Sequence, residues 1–238
     1  MSDAAAAVGV NLITLGKRGQ AVCRFDRIDA TRTALVVIDM QDAFVDPRYG
    51  VAAAGARDLI GRLNSLAAAL RSAGGRVVFT RHTVSEEPRY ALPLWLSGSP
   101  IMRELACLLA PGSPGYELHG LLDVHEGDFV LDKHRYSAFL CNSSTLDADL
   151  RAAGIDTVII TGTATNVCCE SSARDAHMLD YKVFFPADAN AAVTEEVHRA
   201  TLLNIAGSFA DTRSVKELLN VIKHSIAGGD SRARSPAS

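Results

Sequence analysis

The chain has 238 residues, 48% hydrophobic and 21% charged, an ordinary globular composition with enough length to bury one large core. A formal net charge of −3 with no basic stripe argues against nucleic acid or an anionic membrane surface as a partner. No apolar run reaches the roughly 18–20 residues of a membrane span, and the N-terminus lacks the basic-then-apolar order of a secretory signal.

Five cysteines, Cys23, Cys107, Cys141, Cys168 and Cys169, form an odd set without a repeating spacing. That favours free thiols in a reducing cytosol over a disulfide framework. No CxxC pair and no HExxH motif occurs, so neither a metal nor another cofactor is expected.

In chain order, residues 1–30 have poor periodicity and read as an N-terminal arm. Ala34–Ile38 is an unbroken apolar run, as in a strand covered on both faces, and it runs into Asp39-Met40-Gln41-Asp42. Leu59, Leu63, Leu66 and Leu70 predict a helix over 56–73, closed by Gly74-Gly75. A strand follows over 76–80. Residues 82–126 are irregular, with one short helix near 99–108, and an insertion of this length at a sheet edge often builds a substrate pocket.

A third strand, Phe129–Leu131, leads into Asp132-Lys133-His134-Arg135-Tyr136-Ser137-Ala138-Phe139. Ser144 and Asp147 predict a reciprocal cap on a helix over 144–153. Next come a strand over 156–161, the turn Thr161–Asp175 with its two cysteines, and a helix over 167–179. A strand at 182–185, a helix from Thr194 to about 206, a short strand near 208–211 and a helix over 214–223 capped by Ser214 and Glu217 complete the fold. Residues 31–224 thus read as one domain and 225–238 as a disordered tail. Alternating helices and apolar strands predict a mostly parallel sheet with helices on both faces.

Three polar residues stand at three strand ends, which in a parallel sheet share one edge: Asp39, Lys133 and Cys168. A nearby ammonium and a helix N-terminus lower a thiol pKa, so a thiolate is expected at Cys168. A carboxylate can take the thiol proton and return it to a leaving amine, while backbone N–H groups hold an oxyanion. Each residue alone has a plainer reading. Asp39 could cap a turn, Lys133 could be a solvated lysine, and Cys168 could be a small buried hydrophobe.

The pieces VVIDMQDAF at 36–44, DKHRYSAF at 132–139 and GTATNVCCESSARDA at 162–176 resemble the isochorismatase-like cysteine hydrolases. The resemblance spans about residues 33–222. Within that superfamily the cysteine motif looks most like the ureidoacrylate amidohydrolases. It implies a Rossmann-like three-layer α/β/α fold with about six strands, assembled as a dimer or tetramer. It also implies a catalytic triad of Asp39, Lys133 and Cys168, with Cys169 in the place of a helix-packing residue. A cis peptide at Thr163–Ala164 is implied as well, aiming the N–H groups of Ala164 and Cys168 at an oxyanion hole.

Where nicotinamidases of the superfamily carry an Asp-x-His metal site, this chain reads Thr80-Arg81-His82, which argues against a metal. Arg81 and His82 face substrate or are plain strand-end residues. Tyr136 contacts substrate or packs beside the pocket, and Phe44 is pocket wall. Gln41 and Asn166 orient the triad or stabilise their own turns.

The expected function is hydrolysis of a small linear amide or ureide through a thioester. The alternatives are vinyl-ether hydrolysis of the isochorismatase type, another small amide such as a biuret-like, carbamoyl or lactam compound, and a non-enzymatic binding role.

Overall fold

The structure is a computed structural model that describes residues 24–232 except 86, 89 and 92. Its centre is a six-stranded sheet in which every paired strand is parallel. The strands are β1 (Thr33–Ile38), β2 (Arg76–His82), β3 (Phe129–Lys133), β4 (Thr157–Thr163), β5 (Lys182–Phe184) and the two-residue β6 (Asn190–Ala191). Their order is β3-β2-β1-β4-β5, with β6 pairing beside the carboxyl end of β4. The main helices are α1 (Ala56–Ser72), α2 (Pro100–Leu108), α3 (Leu146–Ala152), α4 (Glu170–Met178), α5 (Glu195–Ser208) and α6 (Val215–Arg232).

Successive strand residues point to opposite faces, so the apolar runs feed two cores at once. Leu35, Val37, Val77, Phe79 and Ile159 face α1 and α6, meeting Leu59, Leu63, Leu66, Leu70, Leu218 and Ile222. Ala34, Val36, Ile38, Val78, Val158 and Ile160 face α3, α4 and α5, meeting Leu146, Leu150, Ala173, Leu202 and Ile205. This is the three-layer α/β/α arrangement that unbroken apolar strands predict.

Several local expectations change. Residues 1–23 of the expected arm lie outside the described residues. Residues 24–30 are docked: the backbone N–H groups of Arg24 and Phe25 donate to Asp211 Oδ2 at 2.6 and 2.9 Å, and the Phe25 ring meets Phe184 at 5.6 Å. The helix expected from 144 starts at Leu146. Ser144 Oγ is used instead to donate to Ala138 O and to accept from Leu146 N, so no reciprocal cap with Asp147 forms.

α5 runs to Ser208, leaving at 208–211 only a single parallel bridge between Asp211 and Phe184. The Ser214–Glu217 cap does form, with Ser214 N donating to Glu217 Oε2 at 2.8 Å and Glu217 N to Ser214 Oγ at 3.2 Å. α6 continues to Arg232, through the start of the expected 225–238 tail and its glycine pair, Gly228 and Gly229. Glycine within a helix costs only about 1 kcal/mol relative to alanine, which weakens a helix without forbidding it. Residues 233–238 lie outside the described residues.

Candidate active site

The site forms where the carboxyl ends of β1, β2, β3 and β4 lie side by side. Register places Ile38 opposite both Thr80 and Gly162, and His82 opposite Lys133. Gly162 makes this closeness possible. At φ 114° it adopts a conformation that side-chain-bearing residues rarely take, and a Cβ there would lie 2.1 Å from Ile38 O.

Asp39 leaves β1 at φ 50°, in the left-handed region that Asp tolerates better than most residues. Three contacts hold this backbone. Asp39 N donates to Thr80 O at 3.2 Å and approaches Thr80 Oγ1 at 3.2 Å, and Asp39 O accepts from Thr163 Oγ1 at 2.9 Å. The carboxylate is thereby turned inward, 1% exposed, and its Oδ1 accepts from Thr80 Oγ1 at 2.8 Å.

Lys133 is the last residue of β3, and its side chain crosses the end of β2 to reach Asp39. Two strand spacings are roughly 10 Å, a span that calls for a long side chain. The ammonium is fully buried and lies 2.8 Å from Asp39 Oδ2, 2.9 Å from Arg135 O, 3.2 Å from His82 Nδ1 and 3.4 Å from Cys168 Sγ. Burial alone would lower the lysine pKa. The Asp39 carboxylate and Cys168 outweigh that and hold it above its ordinary value. Among the described residues, Asp39 Oδ2 has no hydrogen-bond donor beyond this ion pair, so a lone pair remains available there.

Cys168 lies in a π-helical turn, Thr165–Cys169, just ahead of α4. Such turns are frequent at functional sites. The Thr163–Ala164 peptide before it is cis. Ala164 O accepts from the N–H groups of Val167 and Cys169, which closes the turn. Thr165 Oγ1 lies 2.8 Å from His198 Nδ1, tying the turn to α5, and burial holds His198 below its ordinary pKa and so neutral.

The thiolate expected at Cys168 is not the resting form. Burial pushes the thiol up to about 12; Lys133 pulls it down and the facing Asp39 carboxylate pushes it up further. At neutral pH Cys168 is therefore a thiol and Lys133 an ammonium. Cys169 is fully buried in the core beside α4, and burial holds its thiol far above the usual range.

Beside the trio opens a cavity of about 380 Å³, lined by His82, Pro93, Leu96, His134, Arg135, Tyr136, Ser137, Leu140, Ser171, Arg174 and Asp175. Pro93 and Leu96 come from the 82–126 insertion, as expected of a pocket-building segment. His82 and Tyr136, both candidate substrate contacts, line the cavity with ring centroids 6.4 Å apart. Burial and the nearby Lys133 charge keep His82 well below its ordinary pKa, hence neutral.

The other candidates fall elsewhere. Arg81 alternates to the opposite side of β2 from His82, where it pairs with Asp132 at 2.9 Å and lies over the Tyr116 ring. Gln41 is fully buried and spent on backbone: its Nε2 donates to His82 O and Tyr116 O, and its Oε1 accepts from His82 N at 2.6 Å. It fastens the β1 loop to β2 and does not face the cavity. Phe44 is half-buried and Asn166 exposed, and neither lines the cavity.

Thr80, Thr163, His198 and Arg135 belong to the site or its support and were not singled out from sequence. Thr80 and Thr163 carried one signal, as hydroxyl residues at the carboxyl ends of apolar strands. His198 carried none, because it comes from a helix 30 residues further along the chain than the cysteine.

A family model for the isochorismatase domain matches residues 33–217. A ureidoacrylate amidohydrolase RutB from Methylobacterium radiotolerans is 35% identical over 224 residues, covering 85% of each chain. Nicotinamidase 3 of Arabidopsis thaliana is 33% identical, covering 74% of this chain and 82% of its own. Among solved structures, a cysteine hydrolase from Pseudomonas syringae pv. phaseolicola superposes with a TM-score of 0.75 at 30% identity, covering 87% of this chain and 99% of its own. N-carbamoylsarcosine amidase from Thermoplasma acidophilum gives a TM-score of 0.63 at 28% identity, covering 77% and 96%.

Proposed function

The chain belongs to the isochorismatase family, and from that premise we propose that it is a cysteine amidohydrolase acting on a small linear amide or ureide of the ureidoacrylate kind. The observation that carries this reading is the buried cluster of Asp39, Lys133 and Cys168 beside a cavity large enough for a small molecule. The relatives named for ureidoacrylate hydrolysis support the substrate class.

The resting thiol assigns the steps. Cys168 adds to the substrate carbonyl as its proton passes to Asp39, whose Oδ2 has the lone pair to accept it. Lys133 stays charged throughout, holding carboxylate and sulfur in register and stabilising the thiolate as it forms. We assign the oxyanion to the N–H groups of Ala164 and Cys168. The intermediate collapses by breaking the C–N bond, and Asp39 returns the proton to the departing nitrogen. Asp39 then deprotonates a water that hydrolyses the thioester and restores the thiol. For a ureidoacrylate the products are a carbamate, which decays to ammonia and carbon dioxide, and an aminoacrylate.

His82 and Tyr136 serve as cavity contacts to substrate. The domain is taken as residues 31–224, acting in the cytoplasm as a homo-oligomer. Free thiols at Cys107 and Cys168 suit a reducing compartment. The apolar side chains of Leu94 and Ile101, 95% and 71% exposed, suit burial against a second copy. Light scattering on the purified protein tests the assembly, and a monomer at micromolar concentration refutes it. The catalytic assignment is tested by ammonia release from an amide and ureide panel. Cys168→Ala and Cys168→Ser should lose turnover of whichever substrate the wild type hydrolyses, and full release by the alanine variant sinks the proposal.

A further inference from the structure

We propose that the Arg135 guanidinium is a carboxylate anchor, so that the substrate is a monoanion carrying a carboxylate as well as its scissile carbonyl. This rests on the amidohydrolase reading above and adds the group that selects the substrate's charge.

Arg135 stands two residues beyond Lys133, and its carbonyl takes one of the ammonium's protons at 2.9 Å. Its side chain lines the cavity, half-buried. Nη1 is fixed by two backbone carbonyls, Tyr90 O at 3.2 Å and His134 O at 2.8 Å. Among the described residues, Nε and Nη2 have no hydrogen-bond acceptor and no carboxylate pairs with the group. The planar fork of a guanidinium matches a carboxylate bidentately. Nη1 is pinned on protein while the remaining donors stay open, which pre-organises the group for a ligand.

Of the other ionisable groups around the cavity, Tyr136 is neutral, its pKa raised by burial and by the nearby Cys168. Arg174 is neutralised by Glu170, with Nε at 3.0 Å and Nη2 at 2.6 Å from Oε1, and lies over the Phe209 ring. Burial holds His82 and His134 below their ordinary pKa, so both are neutral. Asp175 is the one carboxylate lining the cavity among the described residues. It follows Cys168 by seven residues, about 10 Å along a helix. An acidic group in the cavity wall disfavours a second negative charge on the ligand and can accept N–H donors. One carboxylate at Arg135 with ureide or amide N–H groups elsewhere matches this balance.

Calorimetric binding to a Cys168→Ala background tests the anchor independently of turnover. The probes are 3-ureidopropionate and its uncharged counterpart 3-ureidopropionamide. The parent should bind the acid more tightly than the amide. Arg135→Gln should weaken the acid by about 10- to 100-fold, the range for a charged hydrogen-bonded pair. It should leave the amide within about twofold, and Arg135→Lys should restore part of the loss. Equal weakening of both probes means a purely structural arginine and overturns the inference, as do unchanged acid affinity and a parent that does not prefer the acid. If the Arg135-dependent preference holds while the wild type hydrolyses no amide, the proposed activity fails and the anchor stands.

Discussion

Replacing Lys133 by methionine keeps the length of the stem and removes only the ammonium. The pair it breaks is enclosed, with Lys133 fully buried and Asp39 1% exposed. The variant leaves the Asp39 carboxylate with only the Thr80 hydroxyl and no countercharge. Stranding one partner of a buried ion pair costs about 3–5 kcal/mol. For a chain of this size, that corresponds to a fall in Tm of about 6–20 °C. Catalysis should fall by about 10²–10⁴-fold, since the ammonium no longer stabilises the forming thiolate or holds the proton acceptor in place.

The measurement is a double-mutant cycle with Asp39→Asn, read by denaturant unfolding and by kcat. Asp39→Asn alone strands a buried ammonium, whereas the double variant has neither charge. The double variant should therefore be more stable than the sum of the single losses predicts, by at least about 2 kcal/mol. Losses that add to within about 0.5 kcal/mol would refute the view that the two groups hold each other in the core.

Three further outcomes follow from the same geometry. Thr80→Val removes the hydroxyl that orients Asp39 Oδ1 and should lower kcat by about tenfold or more while costing about 1–2 kcal/mol of stability; unchanged kcat means the threonine does not position the base. Gly162→Ala places a Cβ against Ile38 O at an unfavourable φ and should cost at least about 3 kcal/mol or prevent soluble folding, checked by urea unfolding and expression yield. The Cys168 thiol has an ordinary value of 9.0 and a folded value of about 12, so between these the folded chain holds a proton that the unfolded chain has lost. Its contribution to stability is accordingly flat below about pH 9 and falls above it, with a slope of about 1.4 kcal/mol per pH unit for one group. Tm measured from pH 8 to 10.5 should thus drop more steeply in the wild type than in Cys168→Ala, and parallel curves would show that the thiol is not raised.

The layers of the fold were legible in sequence because they rest on a local signal. Ala34–Ile38 and Val158–Ile160 are unbroken apolar runs, which only a sheet covered on both sides can bury, and the leucines of α1 recur at helical spacing. Ends were harder to read. Ser144 looked like half of a reciprocal cap, yet its hydroxyl goes to Ala138 O, a competitor that the spacing of Ser144 and Asp147 does not reveal. The terminal strand near 208–211 shrank to one bridge because α5 keeps its helical bonds to Ser208.

For the site, strand-end position was enough to nominate Asp39, Lys133 and Cys168, because a parallel sheet places those ends along one edge. Arg81 and Gln41 were weighed on other grounds, as a substrate contact or plain strand-end residue and as a triad-orienting or turn-stabilising residue, and for them position along the chain did not choose between the two. Side chains alternate across a strand, so Arg81 and His82 part to opposite faces. Gln41 was claimed by the backbone of β2 and of the insertion.

Sequence by itself determined which residues stand at the sheet's carboxyl edge, and the order in which they arrive. Tertiary structure alone decided what that proximity does to their chemistry. The helix-start position of Cys168 argued for a thiolate, but desolvation at the closed edge outweighs it and leaves a thiol. Lys133, which taken alone reads as a solvated residue, is a fully buried cation in the fold, kept charged by a carboxylate from a strand two positions away. Burial and countercharge are sums over every neighbour in space, and most of those neighbours are distant along the chain.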